Sequence, residues 1–324
     1  MADGSSREAT LTGPNAEVRP RGAGATKCNV AVVVVTHNSA HVVGSLLDSI
    51  PAALAGLSAD VVIVDSGSTD ETLALLASRG ERKVIASDNV GYAGGINIGV
   101  RNAEPSDSIL VLNPDVVLGP GSIPALLAAL RLPGVGIAAP QMRSADGSLS
   151  YSLRREPTLL RAAGLNWTGI PLLTEKVTDV SAYSTGRDVA WATGAVLLVS
   201  RECHEALGGW DESFFLYSEE TQLCLEARSR GWRTRYVPEA VVTHLGGESG
   251  TSKVIHSMMV LNRVRLYRRR HHFVLGLCYF WLSVASELSW VARGHAESWH
   301  AVVCLLRPAR RPAELDCSSS LLPS

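Results

Sequence analysis

The chain lacks a charge imbalance, a cysteine framework and the common nucleotide-binding glycine motifs, and each absence removes a class of function. Among 324 residues, 30 basic and 31 acidic side chains leave a formal net charge of −1, so no global field draws the protein to nucleic acid. The six cysteines, Cys28, Cys203, Cys224, Cys278, Cys304 and Cys317, are scattered. They form no CxxC pair and no His/Cys cluster of zinc spacing, and they fit reduced thiols in a cytosolic protein. Residues 1–27 are rich in Gly, Ser, Ala, Pro and charge, lack the apolar core of a signal peptide, and read as a disordered lead-in. No repeat of solenoid period is visible, and residues 29–256 contain no linker-like break in composition. GxGxxG does not follow the first apolar run and GxxxxGK[ST] is absent, which argues against a dehydrogenase or a P-loop nucleotidase.

What is present is an alternation of apolar runs and helical patterns. Val30-Ala31-Val32-Val33-Val34-Val35 has the character of a parallel strand buried on both faces. Thr36-His37-Asn38-Ser39 supplies turn and cap chemistry before an apolar-periodic stretch over 40–54. The pattern recurs in Val61-Val62-Ile63-Val64, ending in Asp65-Ser66-Gly67-Ser68-Thr69-Asp70 before a helix through Leu73, Leu76 and Ala77. A third strand over 83–86 runs into a glycine-bearing loop over 88–97, with a helix over 98–103. A fourth, over 108–112, ends at Asn113-Pro114-Asp115. Strand-then-helix units at this spacing predict an α/β fold with a mostly parallel sheet and right-handed crossovers. Ligands of such sheets bind beyond the carboxyl ends of the strands, where Thr36, Asn38, Asp65, Asp70, Asp88, Asn89 and Asp115 fall.

Four features carry chemistry, two of them on this rim. The 88–97 loop lets backbone approach a ligand closely, and the helix after it offers free amides suited to a diphosphate. Pro114 denies Asn113 helical geometry and holds Asp115 at the end of an apolar strand, a position that suits Mg2+ or Mn2+ completed by substrate phosphates and water. Downstream, Glu219 and Glu220 open a helix behind the aromatic loop Phe214-Phe215-Leu216-Tyr217. Acids in a first turn are favoured by the helix dipole alone, yet one of two adjacent glutamates can face a cleft and serve as a base. His244, after a β-branched run and before Gly246-Gly247, is placed to complete a metal shell or touch a phosphate, whereas His37 and His41 read as structural.

In order, Val35-Thr36-His37-Asn38, Val64-Asp65-Ser66-Gly67-Ser68-Thr69-Asp70, Asn89-Val90-Gly91-Tyr92-Ala93-Gly94-Gly95-Ile96-Asn97 and Leu112-Asn113-Pro114-Asp115 resemble an inverting family-2 glycosyltransferase of the GT-A fold. Thr193-Gly194-Ala195, Gly208-Gly209-Trp210-Asp211-Glu212, the Glu219-Glu220 helix, Gly231-Trp232, Tyr236-Val237-Pro238 and Thr243-His244 are similar to its rhamnosyltransferase-like branch. The resemblance, over 29–249, implies roles position by position. Thr36, Asn38 and Asp65 would hold the base and ribose of a nucleotide-diphosphate sugar, and Asn89, Gly91, Gly94, Asn97 and Asn113 would line the donor pocket. Asp115 would bind the divalent metal, with Asn113 replacing the first acid of the family's DxD element, and His244 would contact metal or diphosphate. Glu220 matches the general base with Glu219 in reserve, and Gln222 stands where the branch usually has an aspartate, a departure expected to affect acceptor recognition. The acceptor would be a glycan or lipid-linked hydroxyl. A sugar nucleotidyltransferase and a non-catalytic nucleotide-sugar-binding module are the competing readings.

The expected organisation is a lead-in over 1–27, a GT-A domain over 28–256, a basic and apolar helical extension over 257–312 and a disordered tail over 313–324. In the extension, Arg263, Arg265, Arg268, Arg269 and Arg270 precede a mostly apolar stretch over 273–292. That length is near a bilayer span, but Ser283, Ser286 and Glu287 form a polar stripe. The sequence therefore predicts a helix lying on the inner face of the cell membrane with its arginines on anionic lipid, in preference to a helix packed on the domain or a true span.

Overall fold

A computed structural model describes residues 29–81, 83–165, 168–246 and 252–317. The expected lead-in and residues 318–324 of the expected tail lie outside the described residues.

The β-branched run forms β1 (Val30–Thr36), in which every residue is buried. It is followed by α1 (Val43–Leu54), β2 (Ala59–Ser66), α2 (Thr72–Ser78), β3 (Val84–Ser87), α3 (Gly91–Asn102) and β4 (Ser108–Leu112). The chain continues through β5 (Val116–Leu118), α4 (Ser122–Leu130), β6 (Val135–Ser144), β7 (Leu153–Arg154) and α5 (Leu159–Ala162). The second half contains β8 (Arg187–Val189), β9 (Trp191–Ala192), β10 (Val196–Ser200), α6 (Arg201–Leu207), α7 (Glu219–Ser229) and β11 (Arg233–His244). Three helices close it: α8 (Lys253–Arg270), α9 (Phe273–Val291) and α10 (Ala296–Leu306).

The main sheet runs β3-β2-β1-β4-β10-β6-β11-β5, with β8 on β11. Strands β1 to β4 are mutually parallel, β10 is antiparallel to both β4 and β6, and β6 is parallel to β11. Successive side chains of a strand alternate between faces, so β1 serves two cores. Val30, Val32 and Val34 pack with Leu46, Ile50, Ile123 and Leu126 on one face, and Val33 and Val35 with Ile96, Leu223 and Cys224 on the other. A third cluster joins Leu261, Val264, Tyr279, Val284 and Ala301 of the closing helices.

The glycine-bearing segment differs from its expected form. It becomes helical at Gly91, and the glycines inside α3 serve packing: a Cβ on Gly95 would lie 2.7 Å from Val35 Cγ1, and one on Gly99 2.4 Å from Val33 Cγ1. Glycine four residues apart lets this helix lie directly on β1.

The C-terminal extension departs further. The expected boundary at 256/257 falls inside the uninterrupted α8. The expected disordered tail begins with a 3-10 turn, Ala313–Leu315, in which Leu315 is buried. Four of the five arginines expected on lipid fasten α8 to the domain. Arg263 pairs with Glu175, Arg269 with Asp211 and Arg270 with Glu226, while Arg265 donates to the Ser213 and Leu315 carbonyls. The polar stripe of α9 faces inward, with Ser283 and Glu287 buried, whereas Phe273 (66 % exposed), Val274 and Trp281 (54 %) point outward.

Candidate active site

The carboxyl ends of β1, β2 and β4 open onto a cavity of about 530 Å³ lined by Thr36, Asn38, Asn89, Gly91, Asn113, Asp115, Glu219 and Glu220, among others. Asn38 sits in the left-handed region (φ +50°), and its Oδ1 accepts from the Thr69 amide at 2.8 Å and the Asp70 amide at 3.3 Å, which ties the β1 loop to the β2 loop. Asp65 is buried beneath this floor and does not line the cavity. Its carboxylate accepts from Thr36 Oγ1 at 2.9 Å, Ser68 Oγ at 2.6 Å and the Ser68 amide at 3.0 Å, so it fixes the rim through its neighbours.

Two other expected donor residues also lie away from the cavity. Gly94 is buried within α3, where an added Cβ would meet Val90 Cβ at 2.9 Å. Asn97 faces the far side, donating to the Trp210 carbonyl at 2.9 Å and to Glu212 Oε1 at 2.8 Å, and accepting from the Trp210 amide. Both positions share the motif with Gly91, but Gly91 opens α3 at the rim, and a rise of about 1.5 Å per residue carries Gly94 and Asn97 progressively away from it.

Asp115 is 6 % exposed, and its Oδ2 lies 3.1 Å from His244 Nε2, because β11 ends beside the turn that follows β4. This hydrogen bond raises the pKa of His244 against the opposing effect of burial. One carboxylate and one imidazole at this separation fit a shared divalent ion. Among the described residues no group of three or more His, Cys, Asp or Glu side chains converges. An ion held here would complete its shell from substrate oxygens and water, as magnesium and manganese commonly do.

The glutamate pair is presented by an irregular loop. Phe215, Tyr217 and Ser218 all adopt positive φ (+57°, +68° and +74°), a costly backbone for residues with side chains. It is held from two sides. The Tyr92 amide donates to the Phe215 carbonyl at 2.7 Å, and Asn262 of α8 donates through Nδ2 to the carbonyls of Phe214 (2.6 Å), Leu216 (2.9 Å) and Tyr217 (3.1 Å). Gly194 leaves room for the pair, since a Cβ there would meet Glu220 Cβ at 2.9 Å. Burial and then the charge of Glu220 hold the Glu219 carboxyl well above the usual range. Burial also raises Glu220, opposed by backbone amides and by Arg154. The Oε2 atoms of both are buried without a hydrogen-bond partner.

A second cavity of about 540 Å³ lies on the other side of Glu220, between the domain and the closing helices. Its lining includes Arg154, Lys176, Trp191, Arg263 and Tyr279. Glu220 borders both cavities; Glu219 borders only the first. Gln222 borders neither, lining instead a surface recess with Trp210, Glu226 and Arg230. Sequence reasoning gave no role to Asn262, Arg154 or Tyr92, whose hydroxyl donates to the Gly194 carbonyl at 3.3 Å. Tyr92 falls within the Asn89-to-Asn97 motif, whereas Asn262 and Arg154 carry no local signal.

Residues 28–263 match the family described as "Glycosyltransferase like family 2". The N-acetylglucosaminyl-diphospho-decaprenol L-rhamnosyltransferase of Mycobacterium tuberculosis is 36 % identical over 202 residues, which is 57 % of this chain and 66 % of that protein, just under two thirds of its length. The low-salt glycan biosynthesis hexosyltransferase Agl10 of Haloferax volcanii is 28 % identical over 204 residues, covering 62 % of each. Among solved structures, the mannosyltransferase PcManGT of Pyrobaculum calidifontis, in complex with GDP-Man and Mn2+, superposes with a TM-score of 0.53 at 16 % identity, over 92 % of this chain and 86 % of that one. S. aureus TarS 1-349 in complex with UDP-GlcNAc gives 0.53 at 15 % identity, over 89 % and 83 %. The chain therefore belongs to glycosyltransferase-like family 2, and its fold is that of the GT-A enzymes.

Proposed function

We propose that this protein transfers a sugar, with rhamnose the first candidate, from a nucleoside-diphosphate donor to a hydroxyl of a lipid-linked saccharide, inverting the anomeric centre. The observation that carries this reading is the place of Glu220, a buried carboxylate on the boundary between two cavities. Transfer needs the acceptor hydroxyl deprotonated as it attacks, by a group within hydrogen-bond reach of it. A binding module has no use for a base between two compartments. A nucleotidyltransferase would want a basic glycine-rich loop at its first strand, where this chain has Thr36-His37-Asn38.

In this reading Thr36, Asn38, Asn89 and Asn113 bind the donor, on a rim stiffened from below by Asp65. Asp115 and His244 would hold Mg2+ or Mn2+. Such an ion supplies Lewis-acid stabilisation of the charge that develops on the departing diphosphate. Glu220 takes the acceptor proton, and its raised pKa makes it a stronger base than a solvated carboxylate. Attack from the second cavity, opposite the leaving group, inverts the anomeric carbon. Glu219, whose own carboxyl is raised by burial and by the charge of Glu220, keeps the helix entry in place.

The apolar outer face of α9, with Phe273, Val274, Leu277 and Trp281 exposed, supports peripheral docking on the cytoplasmic face of a membrane. Its length alone would allow a span, yet Glu287 and Ser283 are committed to the protein interior. A panel of nucleoside-diphosphate sugars with a prenyl-diphospho-saccharide acceptor and Mn2+ or Mg2+, read by NMR of the product anomer, tests the proposal. A metal-dependent product of inverted configuration is expected. No transfer from any donor, or a retained configuration, refutes it.

A further inference from the structure

The second cavity contains a charge imbalance that sugar transfer alone does not explain. Most of its ionic side chains are paired: Glu175 with Arg263, Glu287 with His256 at 2.8 Å, and Glu297 with His295 at 3.1 Å. Four others remain, the carboxylate of Glu220 and the cations Arg154, Arg161 and Lys176. Among the described residues none of these three cations has a carboxylate within 4.0 Å. Arg154 donates only to the backbone carbonyls of Tyr151 and Leu153. Arg161 donates to the Glu156 carbonyl, and its Nε is buried with no partner. Lys176 lies over the Tyr151 ring at 5.5 Å. Arg154 and Arg161 are half-buried and Lys176 is exposed; Glu175 and Glu220 act on Arg154 only from beyond contact distance, and burial depresses the pKa of both arginines, as expected of a partly desolvated guanidinium. Such a group is stabilised when an anion enters, and guanidinium geometry suits phosphate oxygens bidentately.

The surroundings indicate what carries the anion. Arg161 belongs to α5, which packs on α9, and Gly164 just beyond it lies so close that a Cβ would meet Ser286 Oγ at 2.4 Å. The same segment exposes Leu160, Leu165, Ile170 and Leu172. The cation cluster thus opens beside an apolar outer surface, and Met259, Val260, Leu266 and Trp290 give the cavity an apolar wall of its own.

We infer that Arg154, Arg161 and Lys176 form a second anion site, distinct from the donor site, which binds the diphosphate linking the acceptor saccharide to its membrane-borne apolar chain. The assignment rests on the glycosyltransferase reading only for the word acceptor. The binding chemistry, a diphosphate on an apolar tail, is testable by itself.

Trp191 and Trp290 line the cavity, so their fluorescence reports occupancy. The full chain, in EDTA to silence the metal site, is titrated with a short-chain prenyl diphosphate, with the corresponding prenyl alcohol and with inorganic pyrophosphate. The prenyl diphosphate should bind more tightly than either. The double variant Arg161→Gln/Lys176→Gln should weaken it by about tenfold or more, the loss expected on removing charge-assisted hydrogen bonds. Arg161→Lys, which keeps the charge and loses the fork, should fall between. Thermal stabilisation by a nucleoside diphosphate in the double variant checks that it is folded. Equal binding by wild type and double variant overturns the site. An alcohol that binds as well as the diphosphate does the same, and pyrophosphate binding as tightly as the prenyl diphosphate overturns the lipid assignment. If prenyl diphosphate binds as expected and no sugar is transferred to any acceptor, the proposed function fails and the anion site stands.

Discussion

Replacing Glu220 by Gln keeps the shape of the side chain and removes its charge, and the structure separates the consequences. A positioned general base contributes roughly 10²–10⁴-fold, which at about 1.4 kcal/mol per tenfold corresponds to about 3–5 kcal/mol on the barrier. The variant should lose that much in kcat with its donor affinity kept, because the donor residues Thr36, Asn38 and Asn89 do not bond to Glu220. Burial raises the folded-state pKa of both glutamates above the carboxylate value of 4.5. Folding therefore takes up protons, and the stability linked to these groups is greatest below the unfolded pKa and is lost as pH rises through the folded values. Removing one charge relieves this cost, so Glu220→Gln should melt no lower than wild type at neutral pH, and Glu219→Gln should melt higher while retaining more activity. The base form exists only above its pKa. Wild-type kcat/KM should accordingly climb with pH through an inflection above the ordinary carboxylate range, and the Glu220→Gln profile should lack that limb. Nucleoside-diphosphate release followed by a coupled assay, with nucleotide binding by thermal shift, measures all of this. A Glu220→Gln enzyme with near-normal turnover, or one that loses activity only because it unfolds, refutes the assignment.

Asp115→Ala should abolish the dependence of turnover on Mn2+ or Mg2+ and weaken donor binding, which titration with a nucleoside diphosphate with and without metal checks. Asn262→Ala leaves the carbonyls of Phe214, Leu216 and Tyr217 without their shared donor. A loss of about 1–3 kcal/mol is expected, concentrated in the 214–218 loop and seen as faster amide exchange of Glu219 and Glu220 together with a lower kcat. Phe273→Ser/Trp281→Ser changes only exposed side chains, so Tm should hold while flotation with liposomes falls; unchanged flotation would remove this face as the membrane contact.

Much of the fold was legible because it rests on short-range patterns. The continuous apolar run at 30–35 and its successors require strands covered on both faces, and the polar residues at their ends then fall on one rim regardless of detail. That is why Thr36, Asn38, Asn89, Asn113, Asp115 and the Glu219-Glu220 pair converge as the motifs implied. The glycine segment departs from its expected form for a physical reason: glycine serves a turn and a close helix-sheet contact equally well, and only Val33 and Val35 beneath Gly99 and Gly95 decide between them. Gln222 lies away from both cavities because two residues along a helix rotate a side chain by more than half a turn from Glu220. The C-terminal arginines read as lipid ligands because their counter-charges, Glu175, Asp211 and Glu226, are distant in sequence.

By itself, the sequence determined the sheet, the rim and the identity of the acids placed on it, since strand burial and turn chemistry depend on neighbours along the chain. Only the tertiary structure decided that α9 turns its polar stripe inward and its apolar face outward, that Asn262 holds the strained loop, and that three cations with no carboxylate in contact line one cavity with Glu220. These depend on which surfaces meet across the fold, and charge pairing between distant segments leaves no periodicity in the chain to read.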